Sequence, residues 1–141
     1  MNGFTLHPML EKDAIFITQL PLCRLLLSND KQYPWFILVP CVVGIKDIYE
    51  LSLDQQQQFL AESSFLSKLL MQHYNGDKLN VAAIGNICPQ LHVHHIVRYK
   101  TDVAWPAPVW GRFPAIPYTD DEIRSIKDKL SPLFDYIMNK Q

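Results

Sequence analysis

The sequence predicts a single α+β domain over 1–141 with a mainly antiparallel sheet. Three observations carry this. Short β-rich runs joined by turn residues come first, one long helical pattern follows, and further strands precede a terminal helix. No internal repeat or low-complexity linker divides the chain, since Gln55 to Gln58 fall inside the helical pattern. Finally, 141 residues with 48% hydrophobic content suit one core. A chain of this size buries roughly 70% of the surface exposed when unfolded.

Ala14 to Leu20 and Cys23 to Ser28 are β-rich runs separated by Pro21, and Trp35 to Val39 is a third, entered through the turn-rich SNDKQYP. Together they predict an antiparallel meander. Ser52 and Gln55 then make a capping box, and Phe59, Leu66, Leu69, Leu70 and His73 share one helical stripe until Asn75-Gly76 stops it. The spacing predicts the main helix over 53–73. Leu79 to Ile84 and Leu91 to Tyr99 are two more strands around GNICP, within a motif region spanning 79–99. A C-terminal arm and helix occupy 102–141. The stretch WPAPVWGRFPAIPY has too many prolines for regular structure, and Thr119 with Glu122 opens a helix that Pro132 is expected to interrupt.

Thirteen basic and 14 acidic side chains give a formal charge of −1 with no long run of either sign. This leaves no electrostatic footprint for a nucleic acid or an acidic membrane. Cys23, Cys41 and Cys88 lie far apart, without the spacing of a disulfide framework or a zinc knuckle, so a reducing cytoplasm is expected. The N-terminal MNGFTLHPMLEKD lacks the basic and apolar regions of a signal peptide, and no apolar run approaches the ~18 residues that span a bilayer.

The run PQLHVHHIVRY places three of the five histidines within four positions. On a strand, alternation puts Gln90, His92, His94, Ile96 and Arg98 on one face and Leu91, Val93, His95 and Val97 on the other. His95 is therefore expected to be structural, with a hydrogen-bond partner. His92 and His94, about 6 to 7 Å apart along the strand, can address one ligand. Two histidines at this spacing can chelate a metal, but no third ligand stands nearby in the sequence. Solvated histidines on an exposed face are the bland alternative. Nucleophilic catalysis is the third: neutral imidazole, with a reference pKa of ~6.5, is competent at neutral pH and phosphorus suits it as an electrophile. Gly85-Asn86-Ile87 would then aim backbone N–H groups and an amide at the phosphate oxygens.

With GN five residues upstream of Gln90, QLHVHHIVR resembles the motif of the histidine triad (HIT) family, His-φ-His-φ-His-φ-φ followed by an arginine. Aligned on Arg98, His94 takes the third histidine position and His92 the central one, while Gln90 stands in place of the first. RLLLSNDKQYPWFILVP is similar to the family's ribose-binding segment, so the resemblance covers about residues 20 to 100. It implies a HIT-like fold with about five antiparallel strands per subunit of a homodimer. It also implies hydrolysis or nucleotidyl transfer at the α-phosphate of a nucleotide conjugate, such as a dinucleoside polyphosphate or a nucleoside phosphoramidate, with no metal or other cofactor. By position, His92 would be the nucleophile and form a nucleotidyl-histidine intermediate. His94 would bond phosphate oxygens or the leaving group, and Gln90 would support the nucleophile. Asn80, Asn86 and Ile87 would hold phosphate, Asn29 or Asp30 the ribose, and Leu26 and Trp35 would neighbour the base.

Two readings stand beside the enzyme: a nucleotide-binding module that has lost turnover through Gln90, and a metal-dependent hydrolase built on the histidine pair. Arg98 can pair with phosphate or with Asp102. Trp105, Trp110 and Phe113 read as a packed arm rather than a base-stacking surface, and Cys88 as a packing residue.

Overall fold

The computed structural model describes residues 3–140, and side chains through residue 135. In chain order the elements are α1 (Pro8–Asp13), β1 (Ala14–Gln19), β2 (Cys23–Ser28), β3 (Trp35–Pro40), a 3-10 turn (Ile48–Glu50), α2 (Leu53–Tyr74), β4 (Lys78–Ala82), β5 (Val93–Arg98) and α3 (Asp120–Lys140). The five strands form one antiparallel sheet in the order β1-β2-β3-β5-β4. The long connection through α2 lets β5 return between β3 and β4.

Period-two alternation sorts the side chains between the two faces. One face carries Leu25 and Leu27 of β2, Phe36 and Leu38 of β3, and Val93 and Val97 of β5. Against it pack Phe59, Leu66, Leu69 and Leu70 of α2 and Leu130 and Phe134 of α3. The capping box at Ser52 forms as expected, its hydroxyl accepting from Gln55 N at 3.2 Å while Gln55 Oε1 accepts from Ser52 N at 2.9 Å. Asn75 closes α2 in the left-handed conformation, at φ 51°. Two polar pairs fix α2 on the sheet. The buried Glu62 carboxylate accepts from Leu22 N and Cys23 N, each at 2.9 Å, and Ser63 Oγ lies 2.7 Å from His95 Nε2. The opposite face carries Leu26, Ile37 and Val39, which cluster with Phe4, Leu10 and Cys88. Farther along it Ile96 packs with Tyr33, Ala104 and Val109.

Three features differ from the sequence reading. The N-terminal residues form α1, capped by His7 Nδ1 accepting from Met9 N at 3.1 Å, with Pro8 at its start. Pairing of the histidine strand begins at Val93 rather than Leu91, because Leu91 N donates instead to Ile45 O at 2.9 Å. α3 also continues through Pro132. That residue and Leu133 face solvent, where water can serve the carbonyl left without a donor, while Leu130 and Phe134 bury on either side.

Candidate active site

β5 carries His94 and His95, and His92 stands immediately before it. All six of its residues are buried, since α2 covers one face and the N-terminal and C-terminal segments cover the other. His95 points to the α2 side. Its Nδ1–H donates to Val93 O at 3.1 Å and its Nε2 accepts from Ser63, so it is a buried tie between sheet and helix. Burial pushes it down to about 4, despite opposition from the Val93 carbonyl. His92 and His94 share the other face with ring centroids 5.1 Å apart and planes inclined by 74°.

The two rings hold opposite tautomers. A carbonyl only accepts, so the 2.7 Å contact between His92 Nδ1 and Gln90 O places the ring proton on Nδ1. Neutral His92 therefore keeps the lone pair on Nε2. Trp35 Nε1–H donates to His94 Nδ1 at 2.9 Å, which forces the His94 proton onto Nε2. Burial pushes His94 down to about 4, with His92 adding to the effect and the Ile84 carbonyl opposing it. With both rings neutral, the site pairs an unprotonated nitrogen with an N–H donor. Trp110 completes the box, its ring 5.3 Å from His94 and 6.1 Å from Trp35.

The loop after β4 closes over His92. A Cβ at Gly85 would lie 2.7 Å from the Cys88 carbonyl oxygen and 3.3 Å from His92 Cε1, so only glycine allows this approach. Asn86 and the exposed Ile87 stand on the same loop at the rim. His92, His94, Asn86 and Ile87 line one cavity of about 440 Å³ together with Leu10, Asp13, Ser28, Ile37 and Trp110. A polar cavity of about 240 Å³ continues past His92 toward Lys46, Asp47 and Gln90.

Asn29 and Asp30 line an adjoining cavity, also about 440 Å³, with Trp35, Trp110 and Phe113. Their side-chain oxygens hold the arm: Asn29 Oδ1 accepts from Tyr118 N at 2.9 Å, and Asp30 Oδ1 from Gln32 N at 3.1 Å and Ile116 N at 3.3 Å. Ser28 borders both cavities. Asn80 is not among the residues that line the histidine cavity, and its Oδ1 accepts from Arg98 Nη1 at 2.9 Å. Arg98 makes a bidentate pair with Asp102 at 2.8 and 3.1 Å, between the rings of Tyr33 and Trp105. Burial would raise the Asp102 carboxyl, but hydrogen bonds from Arg98, Tyr99 N and Trp105 N outweigh it and hold it below the usual carboxylate range. Of the two partners open to Arg98, the structure supplies the carboxylate.

A family model described as the HIT domain matches residues 9–101, which include all of α1 but Pro8, the whole sheet and both site histidines. The chain belongs to the HIT domain family. Solved structures agree with this. A histidine triad protein from Marinobacter aquaeolei VT8 is 53% identical with a TM-score of 0.92, over 94% of this chain and 97% of its own. Another from Sinorhizobium meliloti 1021 is 39% identical, TM-score 0.91, over 94% and 98%. A third from Bradyrhizobium japonicum is 40% identical, TM-score 0.89, over 92% and 96%. No curated protein matches the chain.

Gln90, expected from the resemblance at the first histidine position, precedes β5 and does not reach the His92 ring through its side chain. Its Oε1 accepts from His7 N at 2.8 Å and its Nε2 donates to Thr5 O at 2.9 Å; only its main-chain carbonyl meets His92. Among the described residues, no three His, Cys, Asp or Glu side chains gather into a group that could hold a metal ion. Sequence reasoning missed Leu10, Asp13 and the Trp110 contact with His94. Pro8 at the start and Glu11 in the first turn were the available cues for α1.

Proposed function

We propose that this HIT domain hydrolyses or transfers nucleotidyl groups at the α-phosphate of nucleotide conjugates, with His92 as the nucleophile. Membership in the family points to nucleotide hydrolase or transferase chemistry. The observation that carries the finer reading is the pair of fixed tautomers, a lone pair at His92 Nε2 beside a donor at His94 Nε2. The Nε2 lone pair forms a bond to phosphorus as the bond from phosphorus to the leaving oxygen or nitrogen breaks. His94 Nε2–H bonds a phosphate oxygen or the departing atom. Water or another acceptor then attacks phosphorus, breaks the P–N bond and returns His92 to its starting state.

Asn86 and Ile87 cradle the phosphate from the loop that Gly85 lets close. The base lies between Leu10 and Ile37, and the ribose beside Ser28 and Asp13, at the junction toward Asn29 and Asp30. This reading includes a homodimer, which light scattering tests, and a cytoplasmic setting in keeping with three free cysteines. Among the described residues no helix is long and apolar enough to cross a membrane.

Intact-protein mass spectrometry after acid-free quenching, with a dinucleoside polyphosphate and an adenosine phosphoramidate as substrates, tests the mechanism. Wild type is expected to show a nucleotidyl adduct mapping to His92 and to release product; His92→Ala is expected to do neither. Absence of product and adduct in wild type, with AMP still raising its melting temperature, would replace the enzyme by a binding module.

A further inference from the structure

We propose that Gln90 is a positioning residue that sets the N-terminal wall of the nucleotide cavity through its side-chain amide. The proposal rests on the nucleotide reading of the site. In an extended segment the C=O of one residue and the N–H two positions later point the same way. A neighbouring parallel strand bonds to that pair. The Gln90 amide does the same with Thr5 O and His7 N, on either side of Leu6, and so stands in for a strand that is not there. A planar amide offers donor and acceptor on one edge; a carboxylate lacks the donor, and the two nitrogens of an imidazole point apart.

The consequence runs along the chain from the clamp. His7 caps α1 through its side chain, and α1 brings Leu10 and Asp13 to the cavity that holds His92 and His94. Before the clamp, Phe4 is buried with the Arg24 guanidinium 5.1 Å from its ring centroid. After it, Asp13 O accepts from Asn29 N at 3.1 Å. Gln90 thus holds the midpoint of the wall. Because its own carbonyl accepts from His92 Nδ1–H at 2.7 Å, the wall and the nucleophile are registered against one residue.

The test compares wild type, Gln90→Leu and Gln90→His for AMP affinity by calorimetry, for kcat and KM on a dinucleoside polyphosphate, and for hydrogen exchange at the His7 amide. Gln90→Leu is expected to weaken AMP binding and raise KM by about tenfold with a smaller change in kcat, because the main-chain carbonyl remains. His7 exchange should accelerate in parallel. Gln90→His, which retains one bond at most, should fall between the two and serves if the leucine variant does not fold. In a Leu10→Ala background, adding Gln90→Leu should cost less than it does alone, since both act through the wall. Unchanged AMP affinity in both variants, or a loss confined to kcat with His7 exchange unaltered, would overturn the proposal. Should wild type itself bind no AMP, the nucleotide reading fails; the clamp is then judged by His7 exchange, which an unaltered rate in Gln90→Leu would refute.

Discussion

Trp35 fixes which nitrogen of His94 carries its proton, although in the sequence it reads only as an apolar neighbour of the base. Replacing it with phenylalanine keeps an aromatic ring in the box and removes the donor to His94 Nδ1. The imidazole then becomes free to exchange tautomers, and kcat should fall on the order of tenfold. Nitrogen NMR of labelled histidine should show His94 shifting from a single tautomer to a mixture; an unchanged spectrum would mean that other contacts set the proton. The His92 and His94 pair was legible from strand alternation because two positions on one strand need no tertiary information. Trp110 was not, since it comes from an irregular arm with no periodicity to place its ring. Asn80 shows another case: β4 sets it opposite Ile96 of the site strand, and its side chain is engaged by Arg98.

Among the elements, the loop between β4 and β5 has little freedom to change at Gly85. Gly85→Ala sets a methyl group against the backbone carbonyl of Cys88 and the edge of His92, neither of which can yield without moving the loop. The expected result is a kcat/KM lower by about tenfold or more with little change in melting temperature, since the loop is exposed and outside the main core. Steady-state kinetics beside a thermal melt check this. The strands and α2 were legible within a residue or two because their patterns repeat over many positions. α1, with six residues, is too short for periodicity to register and forms through a histidine cap and a proline start. α3 outlasts its proline for a tertiary reason, the burial of Leu130 and Phe134 against the sheet.

For the molecule as a whole, the sheet separates a structural face from a chemical one, and a histidine is buried neutral on each. Burial holds His94 and His95 down to about 4, against ~6.5 in the unfolded chain. Between those values the unfolded state binds more protons, so stability is fully present above pH ~6.5 and is lost as the pH falls toward 4. Each ring contributes on the order of 3 kcal/mol at about 1.4 kcal/mol per tenfold change in proton affinity. Protonation of Asp102, held low by Arg98, removes more at still lower pH. Urea midpoints at pH 7, 5.5 and 4.5 should decline steadily, whereas a constant midpoint would contradict neutral burial. The α+β class was legible from element order alone, because runs of strands and helices constrain the layers. The insertion of β5 between β3 and β4 was not, as no local signal records which strands become neighbours.

That insertion also determines how the protein should fail. β5 has a strand on each side and cover on both faces, so its amides belong with the slowest to exchange; His94 lies on it and the buried His92 immediately before it, so their spacing is lost only when the whole domain opens. The N-terminal wall has no such protection. Warming should therefore release the nucleotide before it disturbs the reacting pair, leaving a range of temperature in which the chemistry is intact and only the grip on the substrate has gone.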